Sequence, residues 1–206
     1  MPVTDALALL LVAPPGAGKG TQAPRLAGHY AIAHISSGDL LRRNVAEGTS
    51  LGKIAAAYLS RGDLVPDDLV IEMLTVPVLE AYRSGGFVLD GFPRTRGQAE
   101  EAQRVARQFG GIQLQAVIHL VVRRDELRRR LVTRAERDGR NDDTEITIAH
   151  RLEVFDAQTE PLLGYYAERG LVVDINGEQP VEKVFSDIVN AVDRLRATRA
   201  TRGTGT

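Results

Sequence analysis

The stretch Leu7-Ala8-Leu9-Leu10-Leu11-Val12-Ala13-Pro14-Pro15-Gly16-Ala17-Gly18-Lys19-Gly20-Thr21 decides the fold. Its first seven residues are all apolar, the pattern of a strand buried on both faces. Glycines and prolines then turn the chain, and the residues that follow have helical character. A buried strand, a glycine-rich turn and a helix start build a cradle for phosphate. Glycine lets the backbone close around the anion, turn N–H groups point inward, and the helix N-terminus adds a partial positive charge. Lys19 brings a full charge to the terminal phosphates. The plainer reading is an ordinary Gly/Pro turn, and context must decide between the two.

Against the general pattern G-x-x-x-x-G-K-[ST], Ala13 stands where the first glycine is expected, and Gly20 moves the hydroxyl one place on, to Thr21. Alanine at 13 fits with little strain if φ is negative, but costs about 1 kcal/mol or more if φ is positive. Position 13 ends a strand, so a negative φ is expected.

Working outward, apolar runs recur at 31–35, 87–89, 116–122 and 171–175, separated by helical stretches at 18–30, 37–47, 51–61, 67–83, 95–109, 125–137, 144–168 and 181–196. Doubly apolar strands alternating with helices predict an α/β fold with a parallel sheet of five strands covered on both sides. Pro77 should kink or interrupt its helix. The polar residues 197–206 read as a frayed tail.

The chain has 206 residues, enough for one domain with small insertions and a substantial core. A net charge of −1 argues against a general nucleic-acid binder. The absence of cysteine excludes disulfides, a cysteine nucleophile and a thiolate zinc site, and accords with a cytoplasmic location. The first apolar run is far short of the ~20 residues that cross a bilayer and leads straight into the phosphate loop, so no membrane segment or signal peptide is expected. His29, His34, His119 and His150 are scattered without ligand spacing and read as surface or packed residues.

Two further segments carry chemistry. In Leu89-Asp90-Gly91-Phe92-Pro93-Arg94-Thr95-Arg96-Gly97-Gln98, an acidic residue at a strand's carboxyl end could hold magnesium through water. Arg94 follows a tight turn that would aim its planar fork at phosphate oxygens. A charged loop at a strand end is the alternative. The other segment is Ile35-Ser36-Ser37-Gly38-Asp39-Leu40-Leu41-Arg42, followed by Gly62-Asp63-Leu64-Val65-Pro66.

In this order and at these separations, the motifs resemble those of adenylate kinases, whose usual text is G-x-P-G-x-G-K-G-T, S-T-G-D-x-L-R, G-x-L-V-P-D and D-G-F-P-R-T-x-x-Q. The resemblance covers nearly the whole chain, from Leu7 to the helix near Arg196. It implies a P-loop kinase that passes phosphate from ATP–Mg2+ to AMP, giving two ADP, as a cytoplasmic monomer. A subdomain at 36–65 would bind the monophosphate, and a lid at 133–143 would close over both nucleotides. The lid is short, without room for the longer zinc-bearing form.

Carried over by position, Gly16, Ala17, Gly18, Lys19, Gly20 and Thr21 would wrap the donor phosphates. Ser37, Arg42, Asp63, Leu64, Val65, Gly91, Phe92, Pro93, Arg94 and Gln98 would line the AMP pocket, with Arg42 and Arg94 on the α-phosphate and Gln98 on the base. Ser37 stands where threonine is usual and keeps the hydroxyl. Of the arginines after the fourth strand, Arg130 and Arg134 match donor positions, and Arg140 and Arg151 match positions on the transferring phosphate and acceptor. Arg123, Arg124, Arg128 and Arg129 read as a solvated basic face. Gly177 falls where the family contacts the adenine of ATP through backbone, though Asn176-Gly177 reads equally as a simple turn.

Two rivals remain at this level. Another monophosphate kinase, for UMP, CMP or GMP, would share these motifs. Thr95 and Gln98 favour AMP, since UMP/CMP enzymes more often carry asparagine right after the arginine. A binding paralogue without turnover is suggested only by Ala13.

Overall fold

Each of the five apolar runs forms a strand, and the strands pair in parallel in the order β2-β3-β1-β4-β5. The computed structural model describes residues 6–138 and 144–203. In chain order the strands are β1 (Leu7–Val12), β2 (Ala33–Ser36), β3 (Gly86–Asp90), β4 (Leu114–Val121) and β5 (Val172–Asn176). The helices are α1 (Lys19–Tyr30), α2 (Ser37–Ala46), α3 (Ser50–Arg61), α4 (Asp67–Arg83), α5 (Arg96–Gln108), α6 (Arg124–Asp138), α7 (Glu145–Val154), α8 (Glu160–Ala167) and α9 (Val181–Gly203).

β1 is central, buried at all six positions. Leu7, Leu9 and Leu11 enter one core with Leu26 of α1, Leu131 of α6, Leu152 of α7 and Ile188 of α9. Ala8, Leu10 and Val12 enter the other with Leu41 of α2, Ala55 of α3, Leu74 of α4 and Leu162 of α8. Each large side chain so buried contributes about 1.5–3 kcal/mol, which is why the sheet can dispense with polar strands. The strand order reverses direction at β1, and α/β sheets bind ligands outside the strand carboxyl ends at such a switch point. The ends of β1 and β3 lie side by side there, with Leu11 opposite Asp90.

Several boundaries differ from the sequence reading for local reasons. Residue 31 does not begin β2. Ala31 caps α1 in the left-handed region at φ 53, while Ile32 N–H returns to the Ala27 carbonyl at 3.0 Å, a Schellman-type closure. The expected single helix 144–168 is divided, because a π-helical turn, Phe155–Thr159, separates α7 from α8. That wider turn falls where the ring of Pro161, at the start of α8, would meet the carbonyl of Ala157 in a regular helix.

Pro77 does not interrupt α4. Val70, Leu74 and Ala81 are buried along that helix, and packing outweighs the roughly 3 kcal/mol a mid-helix proline costs. α9 continues through 197–203, where the sequence reading places a frayed tail. Among the described residues, no helix is long and apolar enough to cross a membrane.

Candidate active site

A cleft of about 1070 Å3 opens at the carboxyl ends of β1 and β3. Its floor is the turn between β1 and α1. Gly16 and Gly18 take φ of 84 and 102 there, which L side chains rarely adopt. Ala13 is outside this strain: among the described residues, Ala31 is the non-glycine residue with positive φ. The Ala13 side chain is buried at 5 % exposure. α1 starts with no side-chain cap and no acidic residue in its first turn, so the positive end of its dipole remains available to an anion.

Lys19 is half-buried on this floor. Its Nζ donates to the carbonyls of Ala13 at 2.5 Å and Pro14 at 3.2 Å, which holds the side chain back along the loop. Burial lowers its pKa from 10.5 to about 8; Asp90 opposes this, while Arg94 and Arg134 add to it. Asp90, at the end of β3, is 8 % exposed and lines the cleft.

A second wall of the cleft is built on the Gly91–Arg94 turn, which includes a cis peptide between Phe92 and Pro93. Arg94 Nε donates to Gly91 O at 2.8 Å, fixing the direction of the guanidinium. Although open to the cleft, Arg94 has its pKa drawn down, first by the protein packed around it; Asp90 works against this, Arg151 and Arg42 with it. Arg42 Nη2 donates to Asp39 Oδ1 at 2.5 Å. Ser37 is buried, and a Cβ on Gly91 would lie 2.7 Å from its Oγ, so the start of α2 abuts this turn.

The structure therefore brings Lys19, Arg42, Arg94, Arg134 and Arg151 to the wall of one cleft. Burial first, and neighbouring arginines with it, lower the proton affinity of Lys19 and of Arg94. A polyanion would relieve that repulsion, and cations fixed before it arrives need no reorganisation to stabilise charge.

Three expected residues have more particular places. Arg130 is pinned by Glu126, at 2.6 Å from Nε, and by the Gly177 carbonyl, at 3.0 Å from Nη2. Gly177 also donates its N–H to Val121 O at 2.8 Å, and Glu178 N–H bonds Asn176 Oδ1 at 2.9 Å, so the turn reading is right about the local geometry. Asp63, Leu64 and Val65 line the cleft, and the Asp63 carboxylate is held by two basic side chains. Arg61 holds it at 2.7 Å and His150 at 2.8 Å, and Arg61, then His150, lower its pKa. Arg140, and residues 139–143 of the expected lid, lie outside the described residues.

Two contributors went unread in the sequence. Glu126 accepts from both Arg129 and Arg130, and these bonds pull its pKa to about 2; the i,i+4 spacing to Arg130 was the available signal. Asp67, read only as a helix start although it stands at the last letter of the G-x-L-V-P-D text, bonds Gln98 across 31 positions at 2.7 Å.

The family model described as Adenylate kinase matches residues 11–171. The chain belongs to the adenylate kinase family. It is similar to the adenylate kinase of Kocuria rhizophila, 44 % identical over 186 residues that cover 90 % of this chain and 98 % of the relative. The adenylate kinase of Thermobifida fusca is 46 % identical over 184 residues, 89 % and 97 % of the two chains. That of Thermus thermophilus is 44 % identical over 181 residues, 88 % and 94 %. As in the adenylate kinase reading of the sequence, the fold is a parallel α/β sheet of five strands around a phosphate loop.

Proposed function

We propose that the chain transfers the γ-phosphoryl group of ATP reversibly to AMP, giving two ADP. The observation that carries this reading is the convergence of Lys19, Arg42, Arg94, Arg130, Arg134 and Arg151 on one cleft with the phosphate loop at one end and the Gly91–Arg94 turn at the other. The cleft volume lies at the upper end of the range for small-molecule sites, as two nucleotides require.

Gly16 to Thr21 and the α1 N-terminus hold the donor phosphates, with Lys19 on the terminal ones. Arg130, Arg134 and the Gly177 turn take the donor end. Arg42 and Arg94 hold the α-phosphate of AMP, Ser37, Leu64, Val65 and the Gly91–Pro93 turn enclose it, and Gln98 reads its base. Arg94, Arg134 and Arg151, with Arg140, surround the phosphoryl group in flight. The phosphate of AMP attacks directly, so no covalent nucleophile is required; catalysis is positioning plus charge neutralisation. Closure of residues 36–65 and 133–143 excludes water from that step.

The donor set fits a phosphate-bound magnesium ion. Asp90 faces the cleft, and no group of three or more His, Asp or Glu among the described residues could cage a metal. Phosphate oxygens and water would thus supply the remaining ligands, with Asp90 reached through water. When bound, the ion neutralises charge on the donor phosphates. We place the enzyme in the cytoplasm as a monomer acting on ATP, AMP and ADP, with no nucleic-acid or membrane partner.

The deciding assay is ADP formation from ATP–Mg2+ with AMP, UMP, CMP and GMP in parallel, for the wild type and Arg94→Ala. Turnover confined to AMP and lowered at least a hundredfold in Arg94→Ala is expected. A near-normal rate in the variant would refute the site assignment, and a preference for another monophosphate would refute the substrate.

A further inference from the structure

A relay on the acceptor side ends on a residue with no role in the chemistry above, Asp67. Gln98, 2 % exposed, is the third residue of α5. In an ordinary capping box its side chain would turn back to the N–H of Thr95, the capping residue. Its Oε1 reaches one residue further and accepts from Arg94 N–H at 2.7 Å. Its Nε2 donates to Asp67 Oδ1, also at 2.7 Å. Asp67 is the first residue of α4, and that helix has no side-chain cap, so the carboxylate serves Gln98 and not its own helix.

A backbone N–H can only donate and an ionised carboxylate can only accept. The two partners therefore fix the Gln98 amide from both ends, oxygen toward Arg94 and nitrogen toward Asp67. One N–H and one oxygen lone pair are left over, and Gln98 lines the cleft.

Orientation matters because the two purines present the same groups in opposite order. Adenine has a donating exocyclic amino group beside an accepting ring nitrogen; guanine has an accepting carbonyl beside a donating ring N–H. A primary amide free to turn over reads either edge. One that is held can match only one of them.

We propose that Asp67 is a positioning residue that sets the purine preference of the acceptor pocket by holding the Gln98 amide in one orientation. The inference rests on the reading of this pocket as the monophosphate site. It assigns Asp67 no contact with the nucleotide, so the phosphate grip of Arg42 and Arg94 is untouched by changes at 67.

The test is steady-state kinetics with AMP and with GMP for the wild type, Asp67→Ala and Asp67→Asn, with thermal unfolding of each. Asp67→Ala should raise KM for AMP about tenfold, leave kcat within about twofold, and narrow the AMP-to-GMP ratio of kcat/KM about tenfold. Asp67→Asn keeps an oxygen that accepts from Gln98 and should restore both quantities to near wild type. Loss of a negative charge at the start of α4 would affect both variants alike. Equal effects in the two variants therefore overturn the proposal, as does an unchanged KM and purine ratio in Asp67→Ala. If the alanine variant fails to fold, Asp67→Ser, too short to reach Gln98, takes its place with the same expected and refuting results. A wild type that uses GMP as readily as AMP overturns the inference while phosphoryl transfer stands. A wild type that turns over no monophosphate overturns the proposed function, and this inference with it.

Discussion

Replacing Lys19 with methionine separates what the loop needs for stability from what it needs for chemistry. In the folded protein the Lys19 pKa falls from 10.5 to about 8, chiefly through burial, which corresponds to about 3 kcal/mol against the charged form at neutral pH. Methionine removes that penalty but also the two bonds to the Ala13 and Pro14 carbonyls, worth about 1 kcal/mol each. The net expectation is that Lys19→Met is more stable than the wild type by about 1 kcal/mol at pH 7, while turnover drops by two to three orders of magnitude.

The sign of the pH dependence follows from linkage. The folded pKa lies below the unfolded value, so the unfolded chain binds more protons between pH 8 and 10.5, and the wild type gains stability as pH rises through that window. The methionine variant has no such group. Urea unfolding of both proteins at pH 7 and pH 10 reads the difference directly: the advantage of the variant should be present at pH 7 and shrink or reverse at pH 10. A variant less stable than the wild type at pH 7, or a difference independent of pH, would refute the account of Lys19 as a buried charge held ready for an anion.

Three smaller predictions concern the backbone. Ala13→Gly should leave kcat and KM for ATP unchanged and lower stability by about 1 kcal/mol in a melt, because φ at 13 is unstrained and the buried methyl is lost; a rise in activity would mean strain at this position. Gly16→Ala should destabilise by more than Gly18→Ala, by about 1–2 kcal/mol. Both positions have positive φ, but only at Gly16 would the new Cβ lie 2.9 Å from Leu131 Cγ and 3.0 Å from Leu127 O; equal losses would disprove this. Ala31→Gly should stabilise by about 0.5–1 kcal/mol in denaturant titration by removing left-handed strain at the α1 cap, and an unchanged midpoint would count against it.

How much of this was legible in the sequence depended on range. Strands such as Leu7–Val12 announce themselves, because burial on both faces writes an unbroken apolar run. Contiguous motifs placed Lys19, Arg42, Asp90 and Arg94 around one cleft. What stayed hidden depends on partners distant in the chain. Asp67 closes the G-x-L-V-P-D text, but its partner Gln98, 31 positions away, cannot be read from that stretch. The histidines look idle, yet His119 meets Asp174 at 2.8 Å because β4 and β5 bring them into register, and His150 meets Asp63. Pro161 carried the signal for the break before α8, since a proline inside an expected helix removes an N–H and crowds the preceding turn.

β1 is the earliest strand of the sheet to be made, and both of its neighbours follow much later in the chain. β1 sits between β3 and β4, with Leu7 paired to Gly86 and Ala8 to Leu114, so neither edge can be satisfied until much of the chain has emerged. Until then the nascent protein presents a six-residue apolar strand with both edges open, a template for wrong pairing. The same arrangement postpones the phosphate loop, which hangs from the end of β1, to a late and cooperative step dominated by long-range closure. Pulsed hydrogen exchange during refolding should show the amides of Leu9 and Leu11 becoming protected together with that of Ile118, and not before. Nucleotide binding should then arise with the completed sheet, with no binding by earlier intermediates.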